Sequence, residues 1–239
     1  MRSRLGGAYA IVRELSSLSG PPEGYNHMNR KMTHSIIAAL VVTSLWSLGT
    51  QALETDSAER QEIARLVELT RWKEGTVVAD IGAGDGTYSF LAAEKVGMSG
   101  HVYATEIDKE KLQALKAEVA KRKLNNVVVV EGAADDTKLP SDCCDTIFLR
   151  HVYHHITQPR DFDKTLVRSL KPGAYLAIID FPPRPSLPPV EGVPKNRGGH
   201  GIPKQIVAEE LTAAGLQVEK TINDWSAQDY CVVFVKRSP

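Results

Sequence analysis

Two hydrophobic periods alternate along the chain from residue 57 onward. Residues 57 to 70 place Ile63, Leu66 and Val67 on one face against a charged face, which is the spacing of an amphipathic helix. Short apolar runs of strand length follow, separated by further helical patterns. The predicted strands span Thr76–Asp80, His101–Glu106, Val127–Glu131, Asp145–Arg150 and Tyr175–Asp180, and the helices between them span Tyr88–Lys95, Lys109–Arg122 and 160–170. This alternation predicts an α/β domain with a mostly parallel sheet and helices on both faces.

Local signals set the expected positions of three of these elements. Asp108 is a favourable residue to cap the helix that begins at Lys109. Four consecutive valines, Val127 to Val130, predict that strand three is buried on both faces, as a central parallel strand is. The segment Lys171-Pro172-Gly173 predicts a chain-breaking turn before strand five.

The pattern changes after the fifth strand. Phe181–Pro203 holds seven of the thirteen prolines and is predicted to be a long functional loop, a lid or a flexible connector. A helix then opens at Pro203 and Lys204 and ends at Gly215. Two further strands, over Gln217–Asn223 and Tyr230–Arg237, are predicted to close the sheet as an antiparallel pair.

The N-terminal part divides into two segments ahead of the main domain, which is assigned to 53–239. Arg30 and Lys31 precede an apolar run over Ser35–Leu48, and a cleavage-site pattern, Thr50-Gln51-Ala52, follows the run, which together is the pattern of a signal peptide cleaved after Ala52. Residues 28–52 are therefore predicted to be a signal peptide, with an uncleaved apolar anchor or buried helix as the alternative. Residues 1–27 are predicted to be a non-native or disordered upstream extension. The run is shorter than the roughly 20 residues of a membrane-spanning helix, so no stable membrane insertion of the catalytic domain is expected. Periplasmic or secreted localisation follows, with cytoplasmic or membrane-associated localisation as the alternative.

Composition favours a small partner. Lysine plus arginine equals aspartate plus glutamate at 29 each, so net charge gives no reason to expect nucleic acid as the partner. The three cysteines, including the adjacent Cys143 and Cys144, form neither a disulfide framework nor a metal-ligand spacing and are expected to be structural or incidental. A small molecule is therefore the expected partner.

A glycine-rich turn follows the first predicted strand. Gly82, Gly84 and Gly86 alternate where strand one should turn into a helix, and glycine there lets the backbone approach a ligand closely. Glu106 ends the neighbouring strand, and a carboxylate at that position can accept hydrogen bonds from both hydroxyls of a ribose. The combination predicts a nucleoside-containing cofactor, whereas glycines that merely make a tight turn are the simpler alternative.

The competing cofactor is a dinucleotide. Its fingerprint needs a third glycine or alanine where this chain has Thr87. Asp80, at the end of strand one, would add negative charge beside a pyrophosphate but suits a cofactor with a positive sulfonium and ammonium. The electrostatics favour S-adenosylmethionine over NAD.

These segments resemble the class I S-adenosylmethionine-dependent methyltransferases over Asp56–Arg237. VADIGAGDG is similar to the first motif of that family, YATEID to the second and EGAADDTKLP to the third, while LKPGAYLAIID is similar to the segment around strand five. The resemblance implies a Rossmann-like doubly wound sheet of seven strands, mostly parallel with a C-terminal antiparallel hairpin. It also implies that Glu106 binds the ribose, that Ile107 packs on the adenine, and that Ala134 and Asp135 border it. The expected cofactor-binding residues are Asp80, Gly82, Gly84, Gly86, Glu106, Ile107, Ala134, Asp135 and Arg150.

Candidate catalytic residues follow strands four and five. Methyl transfer is an in-line displacement at carbon that depends mainly on positioning, with a base where the acceptor carries a proton. Either His154 or Tyr153 is expected to face the acceptor, His155 to orient the loop, and Asp180 to act as a base or to bind a polar acceptor. The alternative is that the histidines bond backbone and that Asp180 is a hydrogen-bonded scaffold.

The proline-rich loop adds an excess of positive charge. Arg184, Lys195, Arg197 and His200 stand against Glu191, which favours an acidic acceptor unless the charges are simply solvated. The leading function is methyl transfer from S-adenosylmethionine to a small-molecule acceptor. A nicotinamide-dependent oxidoreductase and a cofactor-binding module without activity are the alternatives.

Overall fold

The computed structural model describes residues 58–238, so the predicted extension and signal segment lie outside the described residues. Within this range a seven-stranded sheet is flanked by five α-helices, and none of these helices is long and apolar enough to cross a bilayer. The strands are β1 Val77–Ile81, β2 His101–Glu106, β3 Val127–Glu131, β4 Cys144–Arg150, β5 Leu170–Asp180, β6 Gln217–Ile222 and β7 Tyr230–Val235. The helices are α1 over 58–70, α2 Thr87–Val96, α3 Lys109–Arg122, α4 Pro159–Ser169 and α5 Lys204–Ala213.

The sheet has the order β3-β2-β1-β4-β5-β7-β6, which confirms the predicted fold class. The first five strands pair in parallel, and β7 pairs antiparallel with both β5 and β6. The chain order reverses between β1 and β4, and in open α/β sheets such a switch point opens a crevice at the carboxyl ends of the strands. The topology therefore places the ends of β1, β2, β4 and β5 at one edge.

Two apolar layers hold the helices on the sheet. One face packs Leu149, Leu166 and Phe234 into a cluster with α4 and α5, and the other packs Ile63, Leu66 and Phe148 with α1 and α2. Ile63 and Leu66 are fully buried, which explains the amphipathic spacing of α1.

The prediction for strand three is wrong. β3 is an edge strand of the sheet, and the Val128 side chain is 40% exposed. A run of valines reports β propensity, but the path of the crossover connections decides whether the strand lies at the centre or the edge.

Two further local expectations need correction. β5 begins at Leu170 directly after α4, and Lys171–Gly173 lie within the strand at an irregular register opposite β4. Gly173 has φ of 81°, so the predicted turn is a strand irregularity. Cys143 and Cys144 are bonded to each other as a disulfide, a pairing that the spacing argument did not anticipate.

Candidate functional site

The glycine turn after β1 faces two different environments. Gly82, Gly84 and Gly86 all have positive φ, at 73°, 58° and 86°. A Cβ at Gly82 would lie 2.6 Å from Val152, and one at Gly86 would lie 2.5 Å from Leu115, whereas one at Gly84 would meet nothing within 4 Å. The outer glycines therefore permit close packing, and the middle glycine borders open space.

Glu106 points at this turn from the end of β2. Its Oε2 accepts a hydrogen bond from Gly84 N at 3.0 Å, and its Oε1 accepts from Ile107 N at 2.7 Å and Asp108 N at 2.9 Å. Three backbone donors fix the carboxylate, so that both lone pairs of Oε1 are engaged and Oε2 keeps one for a further donor. The group is placed to accept one further hydrogen bond, as from a ribose hydroxyl, beside Gly84.

Asp80 lies buried beneath the same turn. Its Oδ2 accepts a hydrogen bond of 2.6 Å from Ser89 Oγ on α2. Burial raises the pKa of Asp80 to about 7, the Ser89 hydrogen bond opposes the rise, and the negative charges of Asp85 and Glu106 add to it. Asp80 thus changes charge near neutrality at the bottom of the crevice.

The remaining expected cofactor residues flank β2 and β3. Ile107 is 60% exposed, and Ala134 and Asp135 are exposed in the loop that follows β3. An exposed isoleucine next to a fixed carboxylate offers an apolar surface for a flat base.

Arg150 pairs with Glu62 of α1, a helix outside the segments that carry the family motifs. Its Nε and NH2 donate to the two carboxylate oxygens of Glu62, at 2.9 and 3.1 Å, and the guanidinium stacks 4.9 Å over the Tyr88 ring. Bidentate pairing of this kind is among the stronger charge-assisted contacts. Arg150 therefore links the end of β4 to α1 through this ion pair.

His154 and Asp180 form a buried pair behind the ends of β4 and β5. Nδ1 of His154 lies 2.9 Å from Asp180 Oδ1, and the backbone N of His154 donates to Asp180 Oδ2 at 3.0 Å. Because a carboxylate only accepts, Nδ1 carries the hydrogen and the lone pair of the neutral ring is on Nε2. Among the described residues that Nε2 is buried and has no hydrogen-bond partner.

Three rings surround this imidazole. The ring centroid of His154 lies 4.0 Å from that of His155, 4.7 Å from that of Phe181 and 5.5 Å from that of His200. Phe181 is the first residue of the proline-rich loop, and His200 lies near its end, so this loop covers the imidazole. Burial, and the neighbouring His154, lower the pKa of His155, which favours its neutral form.

The structure does not place Tyr153 with His154. Tyr153 is fully buried, and its hydroxyl lies 3.0 Å from carboxylate oxygens of both Asp163 on α4 and Glu210 on α5. Successive residues of the short 3-10 turn Tyr153–His155 point in different directions, so the tyrosine packs between helices. The expectation that Tyr153 faces the acceptor is corrected.

The basic residues of the proline-rich loop also differ from the expectation, because one of them is buried. Arg197 is 1% exposed and donates to the carbonyls of Ile156 and Tyr153 at 2.6 and 3.1 Å. It also forms an ion pair of 3.0 Å with Glu210. Arg197 is therefore committed to protein groups and does not supply a free cation for an acidic acceptor.

Sequence patterns missed a second histidine–aspartate pair. His151, at φ of 56°, places Nε2 2.7 Å from Asp229 Oδ2, and its Nδ1 lies 3.3 Å from NH1 of Arg150. Asp229 comes from the loop between β6 and β7, more than seventy residues away, so no local motif could connect the two. The positive φ of His151 is likewise visible only in the structure.

The arrangement suits a nucleoside cofactor without phosphate. The open space at Gly84, the fixed Glu106 carboxylate and the exposed Ile107 match a ribose and a base, while the buried Asp80 suits positive charge. Within the described range, no group of three or more histidine, cysteine or acidic residues is placed to hold a metal ion.

Comparisons with known proteins agree with this geometry. A family model described as a methyltransferase domain matches residues 72–226. The chain is similar to a solved S-adenosylmethionine-dependent methyltransferase from Aquifex aeolicus, with 30% identity, a TM-score of 0.62, and coverage of 73% of this chain and 89% of that one.

Curated relatives match a shorter stretch. A demethylmenaquinone methyltransferase from Listeria monocytogenes is 28% identical over 122 residues, 51% of either chain. A probable cobalt-precorrin-6B C(15)-methyltransferase from Sulfurisphaera tokodaii is 38% identical over 78 residues, 32% of this chain and 41% of that one. The matched region spans about half the length of these curated relatives or less.

Proposed function

Because the chain belongs to the class I S-adenosylmethionine-dependent methyltransferase family, we propose that it methylates a small-molecule acceptor and that His154 removes the acceptor's proton. The observation that carries the base assignment is the orientation of the imidazole. Asp180 accepts a hydrogen bond from Nδ1–H of His154, and the buried Nε2 has no partner among the described residues. A neutral imidazole held this way is a general base with its lone pair directed away from the orienting carboxylate.

The cofactor site supports the same proposal. Bound S-adenosylmethionine supplies the methyl group. Glu106 would accept a hydrogen bond from the ribose, Ile107 would lie against the adenine, and the absence of a side chain at Gly84 would leave room for the methionine end. Asp80, when ionised, attracts the positive charge of this cofactor.

For the acceptor, the proposal names only a chemical class. Rings of Phe181, His155 and His200 surround His154, and aromatic side chains favour a planar acceptor that can stack on them. Demethylmenaquinone methyltransferases are among the relatives, so hydroquinones are the first acceptors to test, followed by phenols, thiols and amines. For the ring compounds, ionisation of a hydroxyl is the step that His154 would assist.

Cofactor choice is tested by binding. S-adenosylhomocysteine is expected to raise the melting temperature of the protein while NAD leaves it unchanged, since a ligand selective for the folded state stabilises it. Glu106→Gln should weaken the binding of S-adenosylhomocysteine. Glu131→Gln is the matched control, because Glu131 pairs in register with Glu106 from the edge strand but is exposed. Stabilisation by NAD alone would favour the oxidoreductase alternative.

Activity is tested with radioactive methyl-labelled S-adenosylmethionine and the acceptor panel. Transfer to at least one acceptor, lost in His154→Gln, supports the proposal. Cofactor binding without transfer across the panel would favour a binding module that lacks catalysis.

We also propose that residues 28–52 direct export of the domain, on the basis of the apolar run after Arg30 and Lys31. Cell fractionation and N-terminal sequencing of the mature protein test this proposal. Recovery of the intact chain in the cytosolic fraction would contradict it, and it would also explain how the enzyme reaches the cytosolic cofactor pool.

A further inference from the structure

Arg197 is the largest of the fully buried side chains among the described residues, although it lies in a loop whose residues are mostly exposed or half-buried. Its NH1 donates to the Ile156 carbonyl at 2.6 Å, and its NH2 donates to the Tyr153 carbonyl at 3.1 Å. Its Nε donates to Glu210 of α5, and its guanidinium lies 4.9 Å from the centre of the Tyr153 ring. One side chain therefore connects three segments of the chain.

The two carbonyls lie on either side of the turn that carries His154 and His155, the catalytic turn. Tyr153 directly precedes His154, and Ile156 directly follows His155, so the guanidinium fork holds the backbone on both sides of the two histidines. A planar fork with several donors can bridge two carbonyls and a carboxylate at once, which a lysine ammonium cannot reproduce in the same geometry.

The same arginine fixes the covering loop. Arg197 lies three residues before His200, whose ring is 5.5 Å from that of His154. Further backbone bonds, from Arg184 N to the His200 carbonyl and from Ile202 N to the Phe181 carbonyl, close the loop on itself. The position of the loop relative to the catalytic turn thus depends on the Arg197 contacts.

Burial of a guanidinium costs free energy, and pairs of this kind are often no more stabilising than apolar residues of the same volume. Stability alone does not require an arginine here, whereas fixing the geometry of two segments does. We propose that Arg197 is a positioning residue that sets the orientation of His154 and the placement of the loop over it. This inference rests on the role proposed for His154.

The test compares Arg197→Met, Arg197→Lys and Glu210→Gln with the control Lys195→Met, which removes an exposed cation from the same loop. Nitrogen-15 NMR of labelled histidines reports the His154 tautomer and its hydrogen bond to Asp180 without any acceptor. Arg197→Met is expected to shift the His154 resonances and to leave the affinity for S-adenosylhomocysteine unchanged. It should lower kcat by about 10²-fold, the loss that a misplacement of about 1 Å produces.

Graded variants separate positioning from folding. Glu210→Gln keeps both carbonyl contacts and should retain the wild-type His154 resonances, while Arg197→Lys should recover part of the lost kcat. If Arg197→Met does not fold, Arg197→Lys decides the matter: His154 resonances and a kcat equal to those of the wild type in this variant would overturn the proposal. Unchanged His154 resonances and kcat in Arg197→Lys and Arg197→Met would overturn the proposal.

The outcome is distinguishable from failure of the proposed function. If His154→Gln retains full activity, the base assignment fails whatever the Arg197 variants show. If His154→Gln is inactive and the Arg197 variants have wild-type spectra and rates, only the positioning role fails.

Discussion

His154 and Asp180 meet behind the carboxyl ends of two adjacent parallel strands, with Nδ1 of the imidazole 2.9 Å from Oδ1 of the carboxylate. Asp180 also receives the backbone N–H groups of His154 and Phe181. The carboxylate therefore fixes both the ring tautomer and the turn that carries the ring, and the pair behaves as one unit.

The first prediction concerns this pair. His154→Gln and Asp180→Asn should each lower kcat by about 10²- to 10⁴-fold, the usual contribution of a positioned base, because either change removes or misdirects the Nε2 lone pair. Steady-state kinetics with the acceptor found in the panel measure the loss. The double variant should be no worse than the worse single variant, since the residues act together. Multiplicative losses would show that the two side chains work independently.

The second prediction separates two glycines of one turn. Gly86→Ala should lower the free energy of unfolding by about 1 to 3 kcal/mol, because the new Cβ would lie 2.5 Å from Leu115 and from Phe90. Gly84→Ala should lower the free energy of unfolding less, since nothing lies within 4 Å of its Cβ. It should weaken the binding of S-adenosylhomocysteine, because the alanine side chain would enter the crevice. Urea unfolding and calorimetric binding measure the two effects. Equal cofactor affinity in Gly84→Ala and wild type would place the ligand elsewhere.

Elements with a local determinant were predictable from the sequence. β2, β3 and α3 have the predicted bounds, and Asp108 caps α3 by accepting from Glu110 N and Lys111 N. The turn through Gly84 and the carboxylate of Glu106 also meet, because their relation follows from two adjacent parallel strands.

Features set by long-range packing were not predictable in the same way. Nothing local distinguishes the Tyr153 side chain, which packs between α4 and α5, from His154 beside it. The burial of Arg197 depends on the path of a loop with no regular pattern, and the pairing of Arg150 with Glu62 joins residues 88 positions apart. The edge position of β3 depends on chain topology.

The third prediction uses the raised pKa of Asp80. With a pKa of about 7, this carboxyl is mostly neutral at pH 6 and mostly ionised at pH 8. The affinity for positively charged S-adenosylmethionine, relative to S-adenosylhomocysteine without the sulfonium charge, should therefore increase as pH rises through 7. Calorimetric titrations of both ligands at the two pH values measure this ratio.

Two variants control the Asp80 experiment. Asp80→Asn should remove the pH dependence of the ratio. Ser89→Ala removes the hydrogen bond that lowers the pKa of Asp80, so it should move the transition to higher pH. A ratio that does not vary with pH in the wild type would show that Asp80 does not sense the sulfonium.

The last prediction concerns stability and Asp163, buried against Tyr153 and Glu210. Burial raises the pKa of Asp163 to about 7, opposed by the Tyr153 hydrogen bond and reinforced by the charge of Glu210. The folded protein therefore holds a proton that the unfolded chain releases near pH 4, so this contribution to stability is complete below about pH 4 and is lost as pH rises through 7. The free energy of unfolding, measured with urea from pH 5 to 8, should fall by up to about 1.4 kcal/mol per pH unit from this group.

Asp163→Asn should flatten the curve of unfolding free energy against pH. Asp161 is an exposed aspartate on the same helix, paired with Lys164, so Asp161→Asn should keep the wild-type slope. Parallel curves for Asp163→Asn and the wild type would show that Asp163 is ionised throughout this pH range.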